Sequence, residues 1–126
     1  DWMVHMLGQA VAAYTDATHG HTLSAVSGAY YRLLIERSED AAKKFRRLAT
    51  SVWDIVPAGK TDKEIASEGL ARMEDWMREL GLAMDITACG ADPSQLEGMA
   101  DACPINETGY VVLTREDVID VLRQSL

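Results

Sequence analysis

The stretch Ser38–Val56, SEDAAKKFRRLATSVWDIV, indicates the fold class most clearly. Its apolar residues recur three or four positions apart, which is the spacing of one face of an α-helix. Those residues are Ala41, Phe45, Leu48, Ala49, Val52, Trp53 and Val56. Lysines and arginines fill the positions between them and are expected to face water. The stretch therefore predicts an amphipathic helix that buries one stripe of side chains.

Two further helices are predicted before this stretch, over residues 2–14 and from residue 20 to about residue 34. The residues between them, Thr15–Thr18, favour caps and turns over helix interiors. Asp16 is the only formally charged side chain between Trp2 and Tyr31. Helices so poor in charge are buried on most sides. We therefore expect either a central hairpin or a face that another domain covers.

Three further helices are predicted after residue 60, the second of them short, and each begins with a capping signal. The signals are Thr61 with Glu64, Asp92 with Pro93, and Thr114 with Asp117. Gly81 is placed to end the first of these helices, and Pro104 follows the second. Residues 110–113 are the one strand candidate, and they are too short and isolated to build a sheet. The sequence predicts an all-α bundle of about six helices.

Composition limits the possible functions. The 126 residues contain 48% hydrophobic residues and carry a formal charge of −8, which is typical of a single globular domain. A pI near 4.7 disfavours nucleic acids and anionic membranes as partners, because both would repel the chain. Cys89 and Cys103 have no CxxC spacing, so we expect buried, reduced thiols and a cytoplasmic location. A first residue other than Met predicts a processed product or a piece of a longer protein.

The histidines are the residues with the clearest chemical potential. All three, His5, His19 and His21, lie in the charge-poor opening segment. Neutral imidazole is a common ligand of zinc, iron and copper. A reversal between the first two helices would bring His5 and His19 together. A metal site needs further ligands, and none is evident in the sequence. From the residues alone, a buried histidine and a capping histidine remain the alternative interpretation.

A resemblance adds to this interpretation. The segment Met3–Leu23 resembles the iron-containing alcohol dehydrogenase family, in which a helix histidine is followed 14 residues later by a histidine-glycine pair, here His5 and His19-Gly20. Residues 42–53, 80–82 and 113–117 are similar to later parts of the same family. The resemblance covers the whole chain but only the C-terminal helical part of the enzyme. That part is a dehydroquinate synthase-like α domain.

The resemblance implies a two-domain parent enzyme. An N-terminal domain, absent from this chain, would bind NAD or NADP, and residues 1–126 would form an all-helical metal-binding domain. His5 and His19 would be two of the ligands of Fe²⁺ or Zn²⁺. The other two ligands, an aspartate and a histidine, would precede residue 1. Gln9 occupies a position where many members have a histidine near the nicotinamide, and it would line the cofactor side of the cleft. No catalytic acid or base is assigned within this chain.

The implied reaction is the interconversion of alcohols with aldehydes or ketones by metal-assisted hydride transfer. The implied partners are a small alcohol or aldehyde, the N-terminal nucleotide-binding domain and further copies in a homo-oligomer. The isolated chain is expected to be inactive and to self-associate through its apolar opening segment. Two other interpretations remain. One is a non-enzymatic helical interaction module. The other is a small metal sensor in which two chains each supply His5 and His19.

Overall fold

The computed structural model describes all residues, 1–126, and contains six α-helices and no strand. The all-α prediction is therefore confirmed. The helices are α1 (Met3–Ala12), α2 (His19–Arg37), α3 (Glu39–Val52), α4 (Asp62–Glu79), α5 (Leu96–Ala102) and α6 (Arg115–Gln124). A 3-10 turn, Pro93–Gln95, leads directly into α5. None of the helices has the combination of length and apolar character that a membrane span requires.

Helix α2 is the central element of the bundle. It packs against α1, α3, α4 and α6, and every residue from Ser24 to Tyr30 is buried. The larger core lies between α2 and the helices α1, α5 and α6, and a smaller core joins α2 to the α3–α4 hairpin. The lack of charge in α2 up to Tyr31 thus follows in large part from burial within this chain. In α1, by contrast, buried residues such as Met3 and Leu7 alternate with half-buried or exposed ones.

The predicted capping signals are all present. The Thr61 backbone N–H donates to a Glu64 carboxylate oxygen at 2.7 Å, and the Glu64 N–H donates to the Thr61 hydroxyl at 3.3 Å. Thr114 and Asp117 form the same reciprocal pair at the start of α6. Gly81 follows α4 with φ = +75°, the left-handed conformation that glycine adopts without a steric penalty. Local capping chemistry therefore accounts for the starts of α4 and α6 and of the 3-10 turn before α5.

The predicted extent of the third helix was wrong at its C-terminal end, because α3 stops at Val52 instead of Val56. The backbone N–H groups of Trp53 and Ile55 both donate to the carbonyl of Ala49, and Asp54 between them adopts φ = +53°. Pro57 further disfavours helical geometry at Val56. Val52 and Val56 are consequently 55% and 68% exposed. The predicted stripe of the fourth helix likewise fails at Trp76 and Leu80, which are 48% and 57% exposed.

Helices α3 and α4 approach each other closely at one pair of small residues. A Cβ atom added to Gly69 would lie 2.9 Å from the Cα atom of Ala49, closer than real side chains come to a backbone. Both residues are buried. The missing side chain at Gly69 is therefore what allows the two helices to pack at this distance.

Asp117 links the N-terminus of α6 to the central helix. One carboxylate oxygen accepts the Thr114 N–H at 2.9 Å, and the other lies 2.7 Å from the Arg37 guanidinium. Burial by itself would raise the pKa of Asp117. The hydrogen bonds from Thr114 and the Arg37 charge outweigh it and hold the pKa below the ordinary value of 3.8.

We expect Asp117→Asn to destabilise the chain by about 1–2 kcal/mol at pH 7, because it removes a charged cap and an ion-pair partner. A lowered folded-state pKa means that the unfolded chain binds the proton more readily. The contribution is thus complete above about pH 4–5 and is lost as the pH falls through the folded-state pKa. Urea denaturation between pH 3 and pH 7 measures this, with exposed Asp120→Asn as control. Equal acid slopes for Asp117→Asn and the parent would contradict the assignment.

Candidate metal centre

His5 and His19 meet where the start of α2 lies beside the first turn of α1. The Nε2 atom of His19 lies 3.2 Å from the Nδ1 atom of His5. The ring centroids are 4.5 Å apart, and the ring planes are inclined by 81°. His5 is half-buried and His19 is exposed. The structure therefore brings the two predicted histidines together, with one nitrogen of each ring facing a nitrogen of the other.

The local sequence explains this meeting. His5 belongs to the first turn of α1, and His19 is the first residue of α2, so the turn over residues 13–18 returns the chain to the level of His5. Gly8 lies where the helices cross. A Cβ atom there would come within 2.9 Å of Leu23 Cδ2 and 3.3 Å of Thr22 Oγ1. The absence of a side chain at Gly8 allows α1 to lie against the first turns of α2.

The separation of the two nitrogens fits a shared metal ion. With metal–nitrogen bonds of about 2.1 Å, two ligands at a right angle have nitrogens about 3.0 Å apart, and tetrahedral ligands about 3.4 Å apart. The observed 3.2 Å falls between these values. A direct hydrogen bond between the rings would instead require one of the two facing nitrogens to carry a proton. Imidazole donors in this geometry suit Fe²⁺ and Zn²⁺.

The chain supplies only part of a coordination shell. No three His, Cys, Asp or Glu side chains converge closely enough to hold a metal ion. His21 and Asp16, the nearest such residues in sequence, are exposed and do not join the pair. Two imidazoles are fewer than the three or four protein ligands of ordinary zinc sites. Any strongly held ion would need donors from outside these residues.

Trp2 and Gln9 are neighbours of the histidine pair, and the sequence analysis predicted a role for Gln9 only. The Trp2 ring packs edge-on against His5, with centroids 5.5 Å apart and planes at 90°, and this contact was not predicted. The sequence signal for this contact is an aromatic residue three positions before a helix histidine. Gln9 is exposed one helical turn beyond His5, on the same side of α1. Its role beside a cofactor stays a prediction.

The cysteines lie apart from this chemistry. Both are free and buried, as the sequence predicts. Burial raises the pKa of the Cys103 thiol to about 11. Burial, together with the negative charge of Asp85, also raises the pKa of Cys89. Both thiols are therefore protonated at neutral pH and are poor nucleophiles and ligands.

Known proteins are similar in sequence to this chain along its full length. Residues 1–126 match the sequence pattern described as Fe-containing alcohol dehydrogenase family, C-terminal. The chain belongs to this family. It is 33% identical over 128 residues to a probable NADH-dependent butanol dehydrogenase 1 of Bacillus subtilis, covering 100% of this chain and 32% of that protein. It is 27% identical to NADH-dependent butanol dehydrogenase A of Clostridium acetobutylicum, covering 98% of this chain and 32% of that protein.

The fold is shared as well. The crystal structure of NADH-dependent butanol dehydrogenase A from Thermotoga maritima superposes with a TM-score of 0.80 at 21% identity, covering 99% of this chain and 33% of that one. At this identity the superposition shows the fold alone. The chain spans about a third of the length of the relatives it matches. The family match therefore concerns one helical domain. It does not by itself show the activity of a complete enzyme.

Proposed function

We propose that this chain is the metal-binding domain of an NAD(P)-dependent alcohol dehydrogenase that interconverts alcohols with aldehydes or ketones. The single observation that carries the proposal is the convergence of His5 and His19, whose facing nitrogens are 3.2 Å apart. Family membership and the butanol dehydrogenase relatives support the same reaction. In this proposal an N-terminal domain binds NAD or NADP and contributes the remaining metal ligands.

In the complete enzyme His5 and His19 would hold Fe²⁺ or Zn²⁺. Such an ion, when bound, supplies a Lewis acid that lowers the pKa of an alcohol oxygen. Residues of this chain would hold that ion in position. Gly8 sets the distance between α1 and α2, and through it the distance between the two rings. The Trp2 edge restricts the His5 ring. A ligand held firmly by its neighbours keeps its orientation and binds more tightly.

The surroundings of the pair suit hydride chemistry. Asp16 is the only charged side chain from Trp2 to Tyr31. This wall of the site therefore contains almost no fixed charge that would interact with the charge developing on the reacting groups. Gln9, exposed beside His5, would reach the nicotinamide side of the cleft by hydrogen bonding. An amide does not relay a proton as an imidazole does. Proton transfer would therefore fall to groups outside this chain or to solvent.

The other interpretations receive less support. A non-enzymatic interaction module does not account for the family match over residues 1–126. A metal sensor completed by two chains would place four histidines around one ion, and sedimentation with and without metal tests it. A homo-oligomer of the complete enzyme and a cytoplasmic location stay predictions.

The proposal predicts different behaviour for the chain and for the complete protein. With Fe²⁺ or Zn²⁺, the complete protein should reduce NAD⁺ or NADP⁺ when a primary alcohol is added, and chelation should abolish this. The 126-residue chain alone should show no alcohol-dependent reduction, because it lacks two ligands and a nucleotide site. Absorbance at 340 nm measures both. A complete protein that takes up metal at His5 and His19 but oxidises no alcohol would refute the proposal.

A further inference from the structure

The C-terminal ends of α3 and α4 carry an apolar surface patch that consists of Val52, Trp53, Trp76 and Leu80. Val52, Trp76 and Leu80 are exposed. The ring of Trp53 joins the two helix ends, because its centroid lies 6.2 Å from that of Trp76. Large apolar side chains that are exposed together are typical of a surface that binds a partner. We propose that this patch binds the same patch of a second copy of the protein, with the two α4 helices antiparallel about a two-fold axis beside Trp76.

The charged residues around Trp76 complement themselves. Arg72 lies one helical turn before Trp76 and Glu79 lies one turn after it, and all three line the same shallow depression of the surface. Asp75 also lines this depression, but it is already paired with Arg78 at 2.8 Å. Arg72 and Glu79 form no ion pair within the chain. One positive and one negative side chain are therefore available to a partner on either side of Trp76.

A two-fold axis converts this order of residues into two ion pairs. When two identical helices pack antiparallel, positions that are equally far from the axis on either side of it face each other. An axis between residues 75 and 76 therefore places Arg72 of each copy opposite Glu79 of the other. The two Trp76 rings then meet at the centre of the contact. A parallel arrangement would instead bring Arg72 against Arg72, so the charges select the antiparallel one.

The size of the patch indicates a weak association. Only the last two turns of α4 and the adjoining end of α3 take part, so the contact is smaller than the about 1,200–2,000 Å² of a standard stable interface. Tryptophan and arginine are the residue types that contribute most to such contacts, and here they lie at the centre of the patch. We therefore expect a self-association that depends on protein concentration, in which Trp76 supplies most of the attraction.

Charge reversal in the complete protein tests this pairing. Arg72→Glu or Glu79→Arg alone should weaken self-association by about 10-fold or more, because each variant replaces two attractive contacts with two repulsive ones. Combining both substitutions in one chain should restore the association, since opposite charges then face each other again. Mixing the two single variants should also restore it, because each supplies the charge that the other needs. Sedimentation velocity over a range of protein concentrations measures the association.

Arg47→Glu is the matched control, because it makes the same change of charge at an exposed position of α3 outside the depression. It should leave the association constant within about twofold. Circular dichroism establishes that each variant keeps its helices. Single variants that associate as the parent does, or a double variant that stays as weakened as the single ones, would overturn the proposal. Neither the metal centre nor the reaction takes part in this contact, so the result is independent of the proposed function.

Discussion

Replacing either His5 or His19 with alanine in the complete protein is expected to lower metal affinity and alcohol oxidation by at least about 100-fold. Loss of a group that merely orients a ligand already costs about 10- to 100-fold, and these two side chains would contact the metal directly. Each variant removes one of the two nitrogens that lie 3.2 Å apart. Metal content after dialysis and the rate of NAD(P)H formation measure the two effects separately.

His21→Ala provides the matched control for this experiment. His21 is also an exposed histidine in the first turn of α2, only two positions beyond His19, but it does not contact His5. Its replacement should leave metal content and rate within about twofold. Circular dichroism establishes that the variants keep the helical fold. Equal loss of metal in all three variants, or in none, would remove the basis for assigning His5 and His19.

Gly69→Ala is expected to lower the free energy of unfolding of the chain by about 2–3 kcal/mol. The added Cβ would lie 2.9 Å from the Cα of Ala49, and a backbone atom cannot move aside as the end of a flexible side chain can. Helices α3 and α4 would have to separate along their length. The smaller core around Ala66 and Leu70 would then lose packing. Urea denaturation followed by circular dichroism measures the loss.

Gly20→Ala separates this clash from the general effect of replacing a helical glycine. A Cβ at Gly20 meets no atom within 4 Å, and its φ is not in the left-handed region. Alanine there should raise the free energy of unfolding by about 0.5–1 kcal/mol, because it restricts the unfolded chain. Opposite signs for the two glycine variants are the expected result. A Gly69→Ala variant as stable as the parent would show that the α3–α4 contact is looser than described.

The sequence predicts helix starts in this protein better than it predicts burial. Capping depends on residues three positions apart, so Thr61 with Glu64 and Thr114 with Asp117 are visible without tertiary information. Whether an apolar residue at helical spacing is buried depends on a partner elsewhere in the chain. Val56 fits its stripe but lies beyond the end of α3, and Trp76 fits its stripe but remains 48% exposed.

The same distinction applies to the candidate site. His5 and His19 lie on neighbouring helices joined by a short turn, and the family resemblance points to both residues from the sequence alone. A surface cleft between the start of α1 and the loop before α6 joins Met6 to Ile105, residues far apart in the sequence. No local pattern relates such residues. Asp1 is equally inconspicuous, although its carboxylate connects the first helix, the central helix and the loop after residue 104.

The short distance between the two imidazoles also has a thermodynamic consequence. Folding of the α1–α2 hairpin has already brought them together, so an ion that binds both gains a chelate effect without a further loss of chain entropy. By thermodynamic linkage the effect is reciprocal: the folded hairpin favours binding of the ion, and binding of the ion favours the folded hairpin. An ion that prefers the folded hairpin must raise the unfolding temperature, and the stabilisation grows as RT ln(1 + c/Kd), where c is the concentration of free metal. A thermal melt in the presence of increasing metal therefore measures the affinity of the folded hairpin for the ion.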